Sequence, residues 1–156
     1  MNVKKEFINY FKKKGHTEYP SSPLIPHNDK SLLFVNSGMV QFKDIFLGNT
    51  KPKHRTIVTC QKCMRAGGKH NDLDNIGFTS RHHSFFEMLG NFSFGEYFKD
   101  DAIHYAWDFL VNYLKLDKDR MYVSVHESDN ESKKIWIEKI KINPSKVLVL
   151  GDDDNF

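Results

Sequence analysis

Apolar residues recur along this chain in two rhythms, and the changes between them predict the order of its elements. Val3, Phe7, Tyr10 and Phe11 fall at helical spacing, with Lys4, Lys5, Lys12, Lys13 and Lys14 on the remaining surface and Gly15 as a stop. The spacing predicts a helix that packs one stripe on a core and leaves a basic face in water. Pro20, Pro23 and Pro26 forbid a helix from Tyr19 to His27 and impose an extended crossing. Ser31 to Val35 reads as a short apolar strand ending at the turn signal Asn36-Ser37-Gly38. Apolar residues at 39, 42, 45 and 46 predict a short helix from Met39 to Leu47, closed by Gly48.

The rhythm then shortens. Ile57 to Met64 is a strand-like run that reaches Arg65, and the chain returns through Arg81-His82-His83 into the aromatic run Phe85 to Phe94. Between them lie Gly67, Gly68, Lys69, His70, Asn71, Asp72 and Asp74, so the whole predicts a hairpin with a wide, functional loop. Asp101 reads as the cap of a helix whose face is Ile103, Trp107, Leu110 and Leu114. Met121 to Val125 alternates as a half-buried strand. Ser128-x-x-Glu131 reads as a capping box opening a helix through Ile135, Trp136 and Ile140. Val147 to Leu150 is the last strand, followed by a loop from Gly151 to Phe156. With no repeat, linker or low-complexity tract, residues 1–156 are expected to be one domain, and a strand-then-loop ending predicts that it is incomplete at the C-terminus.

Composition narrows the class. The 156 residues, 39% hydrophobic and 28% charged, suit one globular domain with a modest core and exclude a disordered chain. A net charge of +3 is compatible with an anionic ligand but too small to argue for nucleic acid by itself. Locally the balance is sharper, because Arg55, Lys62, Arg65, Lys69 and Arg81 all fall on or beside the hairpin. The amphipathic N-terminus has no apolar signal core and no run approaches ~20 apolar residues, so no membrane and a cytoplasmic location are expected. Cys60 and Cys63 offer two of the four ligands of a structural zinc. Residues three apart on a strand point to opposite faces, which favours two reduced thiols and no metal site.

Arg65 followed by Gly67, Gly68 and Lys69 suits a polyphosphate: the guanidinium bonds oxygens in pairs, glycine backbone approaches closely, and lysine adds a mobile charge. The spacing is not that of a P-loop, so the signal rests on the whole constellation. The alternative for Arg65 is a surface salt bridge. Of the adjacent Phe85 and Phe86, which face opposite sides, one can stack a purine. Phe92, Phe94 and Phe98 read as core. His82 and His83 are candidate general bases or phosphate partners, against the plainer reading of hydrogen-bonded histidines. Glu87, inside an apolar run, needs a cationic partner and is read as orienting Arg65 or a ligand amine. Asp152 to Asp154 are read as a solvated loop rather than a cation site.

Three strings then carry a resemblance. HTEYPSSPLIPHNDKSLLFVNSGMVQFKDIFLG, CQKCMRAGGKHNDLDNIG and RHHSFFEMLGNFSFGEYFK resemble the alanyl-tRNA synthetase family, and the likeness runs through GDDDNF at the end of the chain. It implies an α+β fold, the class II antiparallel sheet flanked by helices, with the first two class motifs present and the third beyond Phe156. It implies alanine activation with ATP and Mg2+, then transfer to tRNA(Ala). By position it implies Arg65 as the catalytic clamp on phosphate and alanine carboxylate. ATP contacts would come from Arg65, Lys69, His70, His83, Phe85, Phe86 and Met88, the alanine pocket from Met39 and Arg65, and the tRNA acceptor-end contacts from Lys69, Asn71 and Asp72. Zinc is expected only in the family's downstream part, and self-association through the first motif is a further expectation. The general class motif has a glutamate where this chain has Gly67, which weakens the class-wide analogy but not the family one. Held beside this reading are a non-catalytic remnant or split half that binds ATP, tRNA or a second chain, and a zinc module built on Cys60 and Cys63.

Overall fold

The first helix forms where the spacing places it. In the computed structural model, α1 spans Val3–Lys13, and the Asn2 side chain caps it by accepting the Lys5 N–H at 3.1 Å, satisfying one donor left open at a helix start. Its apolar stripe buries Ile8, Tyr10 and Phe11. Gly15, at φ +89°, turns the chain away in a conformation that costs glycine little. The structure describes residues 1–26, 31–65 and 74–154. They fall in two units, Met1–Glu96 and Tyr97–Phe156.

The first unit is built on a three-stranded sheet of β1 (Thr17–Tyr19), β2 (Thr56–Met64) and β3 (Phe85–Ser93), in that order. The expected hairpin is present and antiparallel, in register from Thr56↔Ser93 to Met64↔Phe85. The antiparallel pairing is confined to β2 and β3, because β1 joins the other edge of β2 in parallel, Thr17 opposite Ile57. A three-residue strand ending at Pro20 is too short to leave a periodic signal, and the sequence reading missed it.

Beyond β1, prolines prevent a regular ladder, and side chains take over the edge of β2. The Lys62 N–H donates to Ser21 Oγ at 3.0 Å, and the Ser22 N–H donates to Gln61 Oε1 at 2.8 Å. Only the end of β2 remains, where Met64 N–H donates to Val35 O at 2.8 Å while Val35 N–H donates to Leu24 O at 2.8 Å. The strand expected from Ser31 to Val35 therefore does not form: a single residue of edge is left for it. Val35 is buried, whereas Leu33 is 85% exposed.

The segment from Met39 to Leu47 forms a 3-10 turn, Val40–Phe42, running into α2, Lys43–Phe46, with Gly48 at φ +76° beyond it. Buried Phe42 fixes it to the sheet, with ring centroids 5.7 Å from Tyr19 and 4.9 Å from Phe92. Phe46 meets Phe94 at 5.1 Å. Phe92 and Phe94 thus pack as expected.

In the second unit, α3 (Lys99–Trp107) continues as a π-helical turn, Asp108–Tyr113. Asp101 does not cap it. The helix starts three residues earlier, Phe98 is its cap residue, and Asp100 and Asp101 lie in the first turn, where carboxylates complement the dipole. Phe98, read as core, is 75% exposed. The capping box is also displaced. Asp129 caps α4 (Asn130–Lys134) by accepting the Ser132 N–H at 3.1 Å, while Ser128 bonds His126 instead. The Lys99 ammonium and the Ser132 bonds hold the Asp129 carboxyl down to about 2. α4 continues as a π-helical turn, Ile135–Lys139, and Trp136 packs edge-on against Trp107 at 5.9 Å. Strands β4 (Val123–His126) and β5 (Val147–Leu150) pair in parallel. The strand expected from Met121 starts later because Met121 N–H still closes the turn Lys118–Arg120. Among the described residues no helix is long and apolar enough to cross a membrane.

Candidate nucleotide and amino-acid site

Residues directly opposite in an antiparallel pair share a face, so the register of the hairpin sorts its chemistry. Gln61, Cys63 and Arg65 stand on one face with their neighbours Met88, Phe86, Gly90 and Phe92. The other face carries Cys60, Lys62, Glu87 and Leu89.

Arg65 sits just past β2, its N–H donating to Ser84 O at 2.8 Å. Its Nε donates to Asn36 O at 3.1 Å, and the guanidinium lies over the Phe86 ring, 5.4 Å from the centroid. One hydrogen bond and one ring fix the plane of the cation, so its fork is pre-organised for a planar or tetrahedral anion. Among the described residues Arg65 has this carbonyl-and-ring setting rather than a salt bridge.

Beside it, the turn entering α2 is laid on the sheet. The Gly38 N–H donates to Met88 Sδ at 3.3 Å. A Cβ at Gly38 would stand 3.5 Å from Phe92 and 3.9 Å from both Gln61 and Met88, so the buried glycine backbone is in contact with the sheet face. Met39 follows on this turn and is 53% exposed. The structure thus brings Arg65, Phe86 and Met88 together on one face, with the turn bearing Met39 against Met88. Phe85 points to the opposite face and is 52% exposed. His83 is exposed, and His82 is the ordinary hydrogen-bonded histidine of the plainer reading, its Nδ1 2.6 Å from Thr79 Oγ1. Lys69, His70, Asn71 and Asp72 lie outside the described residues.

Two readings need correction. Glu87 does not orient Arg65: it projects from the opposite face, where Lys4 Nζ of α1 donates to its Oε1 at 2.6 Å. That ammonium holds the Glu87 carboxyl below its usual range. Cys60 lies beside this pair and Cys63 is buried on the Arg65 face, so the two thiols cannot ligate one ion as the zinc module requires. Burial raises both thiols above their ordinary range. Among the described residues no group of three or more His, Cys, Asp or Glu side chains is disposed to hold a metal ion. Asp152 stays on a solvated loop, its carboxylate bonded to His126 Nε2 at 2.8 Å.

The residue that sequence reasoning missed is Gln61. It is wholly buried and bonded through both ends of its amide. A glutamine at an inward position of a strand is a detectable signal, because a buried amide must find partners.

The family model for class II tRNA synthetases (A) matches residues 2–156, and the chain belongs to that family. Similar proteins include the alanine–tRNA ligase of Coxiella burnetii, 59% identical over 154 residues, which are 99% of this chain and 18% of that protein. Those of Ruthia magnifica and Nitrosomonas eutropha are 55% and 52% identical over the same shares. The chain therefore spans about 18% of the length of the curated relatives it matches.

Proposed function

We propose that this chain supplies the phosphate- and alanine-binding face of an alanine–tRNA ligase. Alanine's carboxylate attacks the α-phosphorus of ATP, alanyl-adenylate forms and pyrophosphate leaves. The acyl group then passes to the 3′ hydroxyl of tRNA(Ala) and AMP is released. The observation that carries the reading is Arg65, held by Asn36 O and by the Phe86 ring beside the Gly38–Met39 turn. The first step brings two anions together, so a fixed cation between carboxylate and α-phosphate stabilises the transition state and no protein nucleophile is needed. Phe86, on Arg65's face, is the residue placed to stack the adenine, and Met88 with Met39 bounds the small amino-acid side. Lys69, His70 and His83 extend the phosphate contacts, and Lys69, Asn71 and Asp72 meet the tRNA end. Mg2+ would accompany the phosphates of the nucleotide and neutralise part of their charge. The protein works in the cytoplasm.

Exposed Ile25, Leu33 and Leu47, in the His16–Gly48 stretch that resembles the first class motif, support self-association there.

The test is calorimetric binding of ATP and of a sulfamoyl analogue of alanyl-adenylate to the 156-residue chain. Alanine-dependent ATP–pyrophosphate exchange would be run in parallel. Arg65→Ala is expected to weaken the analogue at least ~100-fold, the scale of one pre-organised transition-state donor. Equal binding by wild type and variant would overturn the assignment.

A further inference from the structure

Gln61 lies on the face of β2 that carries Arg65, opposite Met88 in the hairpin register. Its Oε1 accepts from Ser22 N–H at 2.8 Å, Ser22 Oγ at 3.2 Å and Gln41 Nε2 at 2.9 Å. Its Nε2 donates to Ser22 O at 3.1 Å and to Lys62 O at 2.9 Å. One amide therefore joins the proline-broken crossing, the 3-10 turn at Val40–Phe42 and β2. It does so where Pro20 and Pro23 deny the sheet a regular ladder. The same side chain forms part of the surface on which Gly38 rests, 3.9 Å from where a Cβ would stand.

We infer that Gln61 is a positioning residue that sets the height of the Gly38–Met39 turn above Met88, and through it the size of the amino-acid side of the site. The inference rests on the proposed alanine and nucleotide reading. The physical reason is that, among the described residues, three contacts seat the turn from Gly38 onward on the sheet. Phe42 is gripped by rings, Gly38 N–H by a thioether, which is a weak acceptor, and Gln41 by Gln61. Only the last is a directional amide–amide bond fixed at its far end by four more hydrogen bonds. Arg65 is held at Asn36, whose neighbour Val35 is anchored to Met64 and Leu24, and Phe86 by the hairpin ladder, so neither is bonded to Gln61. Loss of the amide therefore lifts the amino-acid side while leaving the nucleotide side in place.

The test compares the full 156-residue chain with Gln41→Met and Gln61→Met. Gln41 is half-buried, so Gln41→Met removes the one bond to the turn with little cost to folding. The probes are AMP alone and sulfamoyl analogues of alanyl- and seryl-adenylate. In Gln41→Met the alanyl analogue is expected to bind about tenfold more weakly. Gln61→Met should weaken it further, the preference for alanyl over seryl should shrink, and AMP affinity should stay within about twofold. A merely structural glutamine would lower the melting temperature and leave those ratios unchanged, and that result overturns the inference. If Gln61→Met does not fold, Gln41→Met decides alone. Wild-type chain that binds AMP but neither analogue would overturn the alanine reading itself, and the inference with it.

Discussion

The two faces of the β2–β3 hairpin use their charged groups in opposite ways. On one face, among the described residues, a carbonyl and a ring hold the Arg65 guanidinium and no carboxylate pairs with it, so its charge is available to an anionic ligand. On the other, Lys4 and Glu87 neutralise each other at 2.6 Å, with Lys62 facing Glu87 across the pair and Cys60 alongside. A cation held by neutral groups keeps its field for a substrate, whereas a cation paired with a carboxylate spends it on its neighbour. The difference between the faces is set by strand parity alone: Phe85 and Phe86, or Glu87 and Met88, differ by one residue.

The largest test of that comparison after Arg65 itself is the phenylalanine pair. Phe86→Ala should weaken ATP about tenfold, since stacking of a base on an aromatic ring contributes roughly 1–3 kcal/mol. Phe85→Ala should leave nucleotide affinity within about twofold, and an equal loss in both would contradict the parity assignment. Titration calorimetry reads both.

A smaller effect is expected at Gly90. A Cβ there would fall 2.7 Å and 2.9 Å from atoms of the Phe92 ring, which lies across the glycine and packs on Phe42. Gly90→Ala must push that ring off its seat and should lower stability by about 1–3 kcal/mol, as overpacking does. Denaturant midpoints measure it, and a neutral substitution would show that the ring has room to move.

The smallest effect belongs to the opposite face. Because Lys4 depresses the Glu87 carboxyl, the pair contributes stability above the ordinary carboxylate range and loses it as pH falls through the depressed value. Glu87→Gln should therefore flatten the acid limb of the stability–pH curve slightly and leave nucleotide binding unchanged. The pair is exposed and screened, so its neutral-pH contribution is small. A marked loss of ATP binding in Glu87→Gln would restore a link to Arg65 that the register denies.

How far these arrangements are legible in the chain differs by residue. Periodicity located α1, the hairpin and the 39–47 segment, because each repeats its pattern over two turns or several alternations. β1 and the fate of Ser31–Val35 were not legible. Whether an extended segment becomes a strand depends on whether an edge of β2 is vacant, which is a property of the assembled sheet. The cap of α3 lies three residues before the expected Asp101, at Phe98, and that of α4 one residue after the expected Ser128, at Asp129, since several polar residues near each start are locally equivalent. Glu87 reads as orienting Arg65 or a ligand amine because a carboxylate in an apolar run needs a cation, but the alternation of the strand sends Glu87 and Arg65 to opposite faces and Lys4 supplies that cation.

The sequence by itself determined the hairpin, the cation at its tip, the need for Phe85 and Phe86 to part company, and the family likeness, all of which are written in local order and spacing. Only the tertiary structure decided which of those phenylalanines lies under Arg65, that Lys4 claims Glu87, and that Gln61 joins Ser22 and Gln41 to β2. Those are contacts between segments tens of residues apart. Strand register and side-chain reach select them, and neither can be read from the order of residues along one segment.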